Sequence, residues 1–328
     1  MCRLTAKAVN RHLSGPAKLP DADLEEKVDE WFDGLVQTDW EVVATVWPGK
    51  ELLKKVRQKL RDDHGIDGAS EATPHQLLAH ADGLTILRQL PANCADVVVT
   101  SPPYNIGVAY NSYSDRLLDS EYLGAMRCLF AELKRVLHED GSLFLNVSGR
   151  PSKAVTTLRF GLMVSELFVL QNQIVWVKSI HVAGQTHGHF KPINSARYLN
   201  GTHEFIFHFT KTGRVPLDRL AVGVPYTDES NTRRWSHREN LHCNGNTWFI
   251  PYPTKTRSLP HPATFPAELP ECCIRLHGIE RCRLVLDPFG GLGTTTLAAI
   301  RCGVNSLCVE MDEEYHRVAC RLAEAEAA

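Results

Sequence analysis

From residue 75 onward, apolar positions fall alternately into short continuous runs and into stretches of helical spacing. The runs at 96–100, 142–147, 168–177, 203–210, 283–286 and 305–309 are rich in Val, Ile, Leu and Phe and predict strands. Helical spacing predicts helices over 83–90, 153–166, 268–276, 296–301 and 315–323. A longer one is predicted over 122–137, capped by Asp119 or Ser120 and stopped at Gly141. Repeated strand–helix units imply an α/β fold: a mostly parallel, doubly wound sheet with helices on both faces.

Two regions depart from this rhythm. Residues 1–75 show helical spacing at Leu24, Val28, Trp31 and Leu35 and again at Leu52, Leu53, Val56 and Leu60, then breaks at Gly65, Gly68 and Pro74. They read as a small N-terminal helical appendage to a main domain over 76–328. Within that domain, 178–200 and 211–260 lose periodicity, apart from the strand between them. Irregular stretches of this length in a compact domain are usually functional.

Composition is that of an ordinary globular chain, 43% hydrophobic and 23% charged. No run approaches the about 18 apolar residues of a membrane span, and the first 30 residues hold no apolar signal core. A cytoplasmic, nucleoid-associated setting without membrane contact is therefore expected. The ten cysteines include no C-x2-C pair, and His203-Glu204 lacks further spaced ligands, so no metal is expected. There is no Pro-Cys dipeptide either, which leaves methylation at a cytosine ring carbon without an obvious nucleophile. The formal net charge of −2 argues against a polyanionic partner, but its distribution does not. Residues 178–260 carry eleven Lys and Arg against five acids, Glu204, Asp218, Asp228, Glu229 and Glu239. Lys178, Lys191, Asn194 and Arg197 in the first irregular region, and Arg233, Arg234 and Arg238 in the second, are candidate DNA contacts.

The strand at 96–100 stops at Ser101-Pro102-Pro103-Tyr104. A double proline can neither extend a ladder nor enter a helix interior, so it makes a stiff turn at a strand's carboxyl end, where α/β sheets bind ligands. Ser101 Oγ and the imide carbonyls are fixed acceptors suited to a planar NH2 group, and Tyr104 offers a face for a ring. A second turn, Asp287-Pro288-Phe289-Gly290-Gly291-Leu292-Gly293-Thr294, joins a strand to a helix, and the next strand ends at Glu310. Glycines there admit close ligand approach, and the acid can accept ribose hydroxyls. Asp287 would repel a pyrophosphate but suits a cationic amino-acid end, which favours S-adenosylmethionine over a dinucleotide.

TSPPY at 100–104, HPATFP at 261–266 and LDPFGGLGTT at 286–295, in that order, resemble the β-class amino-group DNA methyltransferases, whose catalytic motif precedes the cofactor motif. The resemblance runs from about Asp82 to Arg321, with further family-like stretches at 176–178, 203–211 and 248–251. It implies a Rossmann-like S-adenosylmethionine-dependent fold in circularly permuted order. Asp287, Phe289, Gly291, Gly293 and Thr294 would shape the cofactor's methionine and ribose end. Thr264 and Phe265 would hold its carboxylate, Glu310 its ribose and Asp82 its adenine amine. Ser101, Pro102, Pro103 and Tyr104 would hold the target base. The partner implied is double-stranded DNA, with a second copy of the chain and a cognate restriction endonuclease as further candidates.

Two hydrogens of an exocyclic amine, accepted by Ser101 Oγ and the Pro102 carbonyl, would free the nitrogen lone pair for direct methyl transfer without a covalent intermediate. The base must first leave the duplex stack. Serine before Pro-Pro-Tyr resembles cytosine-N4 enzymes and aspartate adenine-N6 enzymes, so cytosine N4 is the expected target and adenine N6 the alternative. An RNA or protein-glutamine methyltransferase is a more distant reading, as is a DNA-binding module with an idle cofactor pocket.

Overall fold

The computed structural model describes residues 74–188, 193–226, 240–252 and 260–327. The helices expected at 21–35 and 50–60 lie outside these residues. The described chain opens with β1 (Gln76–His80), α1 (Gly83–Gln89) and β2 (Ala95–Thr100). It continues through α2 (Asp119–Val136), β3 (Leu137–Val147), α3 (Ala154–Ser165) and β4 (Val169–Val177). After β5 (Ser179–Val182), β6 (Gln185–Gly188) and β7 (His203–Thr210) come the short β8 (Val224–Pro225), β9 (Leu241–His242) and β10 (Thr247–Phe249). The last third is α4 (Glu268–His277), β11 (Leu284–Asp287), α5 (Thr294–Cys302), β12 (Asn305–Glu310) and α6 (Glu313–Ala327).

Eight strands form one sheet in the order β1-β12-β11-β2-β3-β7-β4-β10. Every pairing in it is parallel except those of β7, which runs antiparallel to β3 and β4. Strand alternation divides the core: Val98, Leu143 and Leu145 face one layer with α1, α2 and α3, while Val97, Val99 and Phe144 face the other with α4 and α5. Since β2 is buried along its whole length between β11 and β3, the Ser-Pro-Pro-Tyr turn emerges from the middle of the sheet.

Most predicted elements are present, with shifted ends. Asp119 and Ser120 lie inside α2, whose cap position is Leu118 without a side-chain bond. The chain passes from α2 directly into β3 at Leu137, because Leu137 pairs with Ala95 and is fully buried. Residues 178–200 are not wholly irregular. Ser179–Val182 and Gln185–Gly188 form a hairpin around Ala183 (φ 50°) and Gly184 (φ 80°), the paired positive-φ geometry that matches strand twist. In 211–260, β10 extends the sheet edge and buries Trp248.

Two buried polar contacts lock the layers. Asp96 on β2 accepts from the Arg283 backbone N–H at 2.8 Å, from its guanidinium at 2.7 and 3.1 Å, and from the Leu284 N–H at 3.2 Å, fixing β2 against β11. Ser142 Oγ lies 3.0 Å from both His208 Nε2 and His277 Nδ1, and burial pushes these imidazoles down to about 3 and about 4. Both rings are therefore neutral and structural at ordinary pH.

Candidate active site

The two expected turns meet because β2 and β11 are neighbours, although 187 residues separate the groups that join them. Thr100 at the end of β2 donates its hydroxyl to Asp287 Oδ1 at 2.8 Å. Asp287 also accepts from Thr295 Oγ1 at 2.7 Å and from the Phe289 N–H at 3.0 Å. It is 1% exposed, and burial pushes its carboxyl up to about 6 against these bonds. A cationic ligand end beside it would favour the ionised form.

The glycine turn is built for close approach. Gly291 (φ 53°) and Gly293 (φ 74°) occupy the left-handed region. A Cβ on Gly83 would sit 2.4 Å from the Pro288 carbonyl oxygen, so α1 can start against this turn only with glycine. Thr294 opens α5, and Phe289 packs against the α1–α3 side of the core. Glu310, at the end of β12, accepts from the Gly291 N–H at 2.7 Å and the Asp312 N–H at 2.8 Å, one on each oxygen. Burial, opposed by these two bonds, pushes its carboxyl up to about 7. Each of its oxygens keeps a lone pair for a ligand hydroxyl. Asp82, one strand over, caps α1 by accepting from Thr85 N–H and Oγ1 at 2.9 and 2.8 Å, all on Oδ2. Of the 261–266 stretch, His261 meets the glycine turn and packs edge-on to Tyr315 at 4.6 Å. Phe265 packs against the opposite core face, with Thr264 half-buried beside it. A buried acid, a glycine cradle and a strand-end acceptor fit an amino-acid nucleoside.

At the Ser-Pro-Pro-Tyr turn, Tyr122 donates to the Pro103 carbonyl at 2.8 Å, whereas the Pro102 carbonyl has no protein partner among the described residues. Ser101 Oγ lies 2.6 Å from the Tyr104 hydroxyl. The following loop is pinned by Asp115, which sequence reasoning missed. Although 2% exposed, it accepts from the backbone N–H groups of Asn105, Ile106 and Val108 at 2.7, 3.1 and 2.9 Å. Asn105 (φ 56°) further grips Leu117 N–H at 2.8 Å through its side-chain oxygen. The loop then crosses to the junction of β12 and α6, where Asn111 donates to Glu314 at 3.0 Å and Ser112 to Asp312.

The expected DNA contacts are only partly brought together. Lys178 is turned inward, 2.8 Å from Glu204. Asn194 and Arg197 are exposed, Arg197 lying 5.3 Å over the Tyr198 ring. Lys191, Arg233, Arg234 and Arg238 lie outside the described residues.

Residues 95–321 match the N6/N4 DNA methylase family, and the chain belongs to it. Its order, catalytic turn before cofactor turn, is that of the β-class amino-group methyltransferases, and its methyl donor is S-adenosylmethionine. The chain is 29% identical over 271 residues to the Type II methyltransferase M.ScaI of Streptomyces caespitosus, covering 78% of this chain and 83% of that protein. It is 25% identical to the DNA adenine methyltransferase YhdJ of Escherichia coli K12, covering 74% and 81%. In fold it is similar to the cytosine-N4-specific PvuII DNA methyltransferase, with a TM-score of 0.57 and 22% identity over 75% of this chain and 86% of that one.

Proposed function

We propose that this DNA methyltransferase transfers a methyl group to the N4 amine of cytosine in double-stranded DNA. The observation that carries this reading is the Ser101–Tyr104 turn at the centre of the sheet, beside the glycine turn of the cofactor side. Ser101 Oγ and the Pro102 carbonyl accept the two amine hydrogens, drawing the nitrogen lone pair out of the ring. Pro103 holds the turn through its bond to Tyr122, and the Tyr104 ring stacks on the base after it leaves the duplex. S-adenosylmethionine, when bound, supplies an electrophilic methyl group.

Asp287, Phe289, Gly291, Gly293, Thr294, Thr264 and Phe265 shape the cofactor site, with Glu310 on the ribose hydroxyls and Asp82 on the adenine amine. Asn194, Arg197, Lys191 and the arginines at 233, 234 and 238 meet DNA. A second copy of the chain and a cognate restriction endonuclease are the further partners of this reading. Adenine N6 is the second reading, favoured by the relative named as an adenine enzyme. Labelled methyl transfer offered to duplex DNA, RNA and protein side by side tests the substrate class: label in DNA alone is expected, and label in RNA or protein alone would overturn the reading.

The Glu310 carboxyl gives this site a pH signature. Two hydroxyl bonds stabilise its ionised form, so binding lowers a pKa that stands at about 7 in the free protein. Affinity for S-adenosylmethionine should then rise as the pH climbs toward about 7 and level off above it, with protons released on binding below neutrality. Calorimetry in buffers of different ionisation heat reads the released protons, and Glu310→Gln should remove the part near pH 7, leaving only a weaker dependence near pH 6 from Asp287.

A further inference from the structure

Three polar side chains from different elements converge on one phenol. The Tyr104 hydroxyl lies 2.6 Å from Ser101 Oγ, 3.1 Å from Asn146 Oδ1 and 3.4 Å from Glu204 Oε2. Glu204's other oxygen accepts from Lys178 Nζ at 2.8 Å, and their side chains are only 13% and 20% exposed. Lys178 directly follows β4, Glu204 lies near the start of β7, and Trp176 pairs with Glu204 in register, so the sheet sets this ion pair beside the catalytic turn.

The directions of these bonds follow from the donor inventory. Asn146 Oδ1 and the Glu204 carboxylate only accept, so the Tyr104 proton points toward them. Burial, reinforced by Glu204, holds the phenol well above its usual pKa, so that proton stays in place. The phenol oxygen is then free to accept, and the neighbour with a proton to give is Ser101. A serine hydroxyl is ambivalent: aimed at an amine, its own hydrogen would oppose the amine hydrogens, whereas its lone pairs would receive them.

We propose that Glu204, braced by Lys178, is a positioning residue for Ser101, acting through the Tyr104 hydroxyl to turn the serine proton away from the base so that Oγ meets the amine as an acceptor. The inference rests on Ser101 as the amine acceptor and assigns Lys178 to this chain of bonds rather than to phosphate.

The test measures single-turnover methylation of unmethylated genomic DNA by the full chain, with cofactor and DNA affinities measured separately. Tyr104→Phe and Glu204→Gln should each slow transfer by about tenfold or more, with both affinities within about twofold of wild type. Because Glu204 acts through the phenol, adding Glu204→Gln to Tyr104→Phe should cost nothing further. Lys178→Met should fall with Glu204→Gln, and Lys178→Arg, which keeps the charge, should recover part of the lost rate. Multiplying losses in the double variant, or full rates in Tyr104→Phe and Glu204→Gln, would overturn the proposal. So would Lys178→Met weakening DNA binding alone, which would make Lys178 a phosphate contact. Ser101→Ala separates the two levels. If it keeps full turnover, the reading of Ser101 fails; if it is inactive while Glu204→Gln is fully active, only the positioning role fails.

Discussion

Ser101→Ala should lower turnover by about two orders of magnitude, the usual cost of one positioned polar group at a reacting centre, with S-adenosylmethionine bound as tightly as before. Ser101 is half-buried at the turn, and among the described residues the one close polar partner of its hydroxyl is that of Tyr104, so its loss opens no cavity in the core. Tyr104→Ala should cost as much by a different route. It removes a stacking surface worth about 1–3 kcal/mol per base and also releases the hydroxyl network of Asn146 and Glu204. Isothermal titration of the cofactor alongside a turnover assay separates the two quantities. Loss of cofactor binding in both variants would show that the turn belongs to the cofactor site instead.

Asp287→Ala should be the most damaging change on the cofactor side. It strands the buried Thr100 and Thr295 hydroxyls and the Phe289 N–H, at about 1–3 kcal/mol for each buried group left unpaired. Because Thr100 precedes Ser101, the damage should reach both halves of the site: a melting temperature several degrees lower, and loss of both cofactor binding and turnover. Asp287→Asn keeps an acceptor for one hydroxyl and should melt between the two. A variant Asp287→Ala that melts like wild type and binds the cofactor would contradict the bridging role given to this carboxylate.

The local part of this design is written locally. Double proline after a β-branched run, and glycines between a strand and a helix, are steric statements that no tertiary context can reverse, and both turns stand where the pattern puts them. Glu310 and Asp82 at adjacent strand ends follow from the same alternation. What the pattern does not carry is partnership at a distance. Asp96 with Arg283, Thr100 with Asp287 and Ser142 between two histidines join positions more than 60 residues apart, and nothing near either partner announces the other. Asp115 reads as one more loop acid until three backbone N–H groups are seen around it. Lys178 reads as free positive charge for the same reason, since Glu204 reaches it only through the pairing of β4 with β7. The hairpin at 179–188 escaped because its strands are four residues each and the second is polar, leaving the two positive-φ residues as its main signal.

The most direct test of the central claim is the chemical identity of the product. The protein is incubated with labelled S-adenosylmethionine and mixed-sequence duplex DNA, the DNA is digested to nucleosides, and the labelled nucleoside is identified by mass. N4-methylcytosine is the expected product. N6-methyladenine as the labelled nucleoside would contradict the assignment of Ser101 to a cytosine amine.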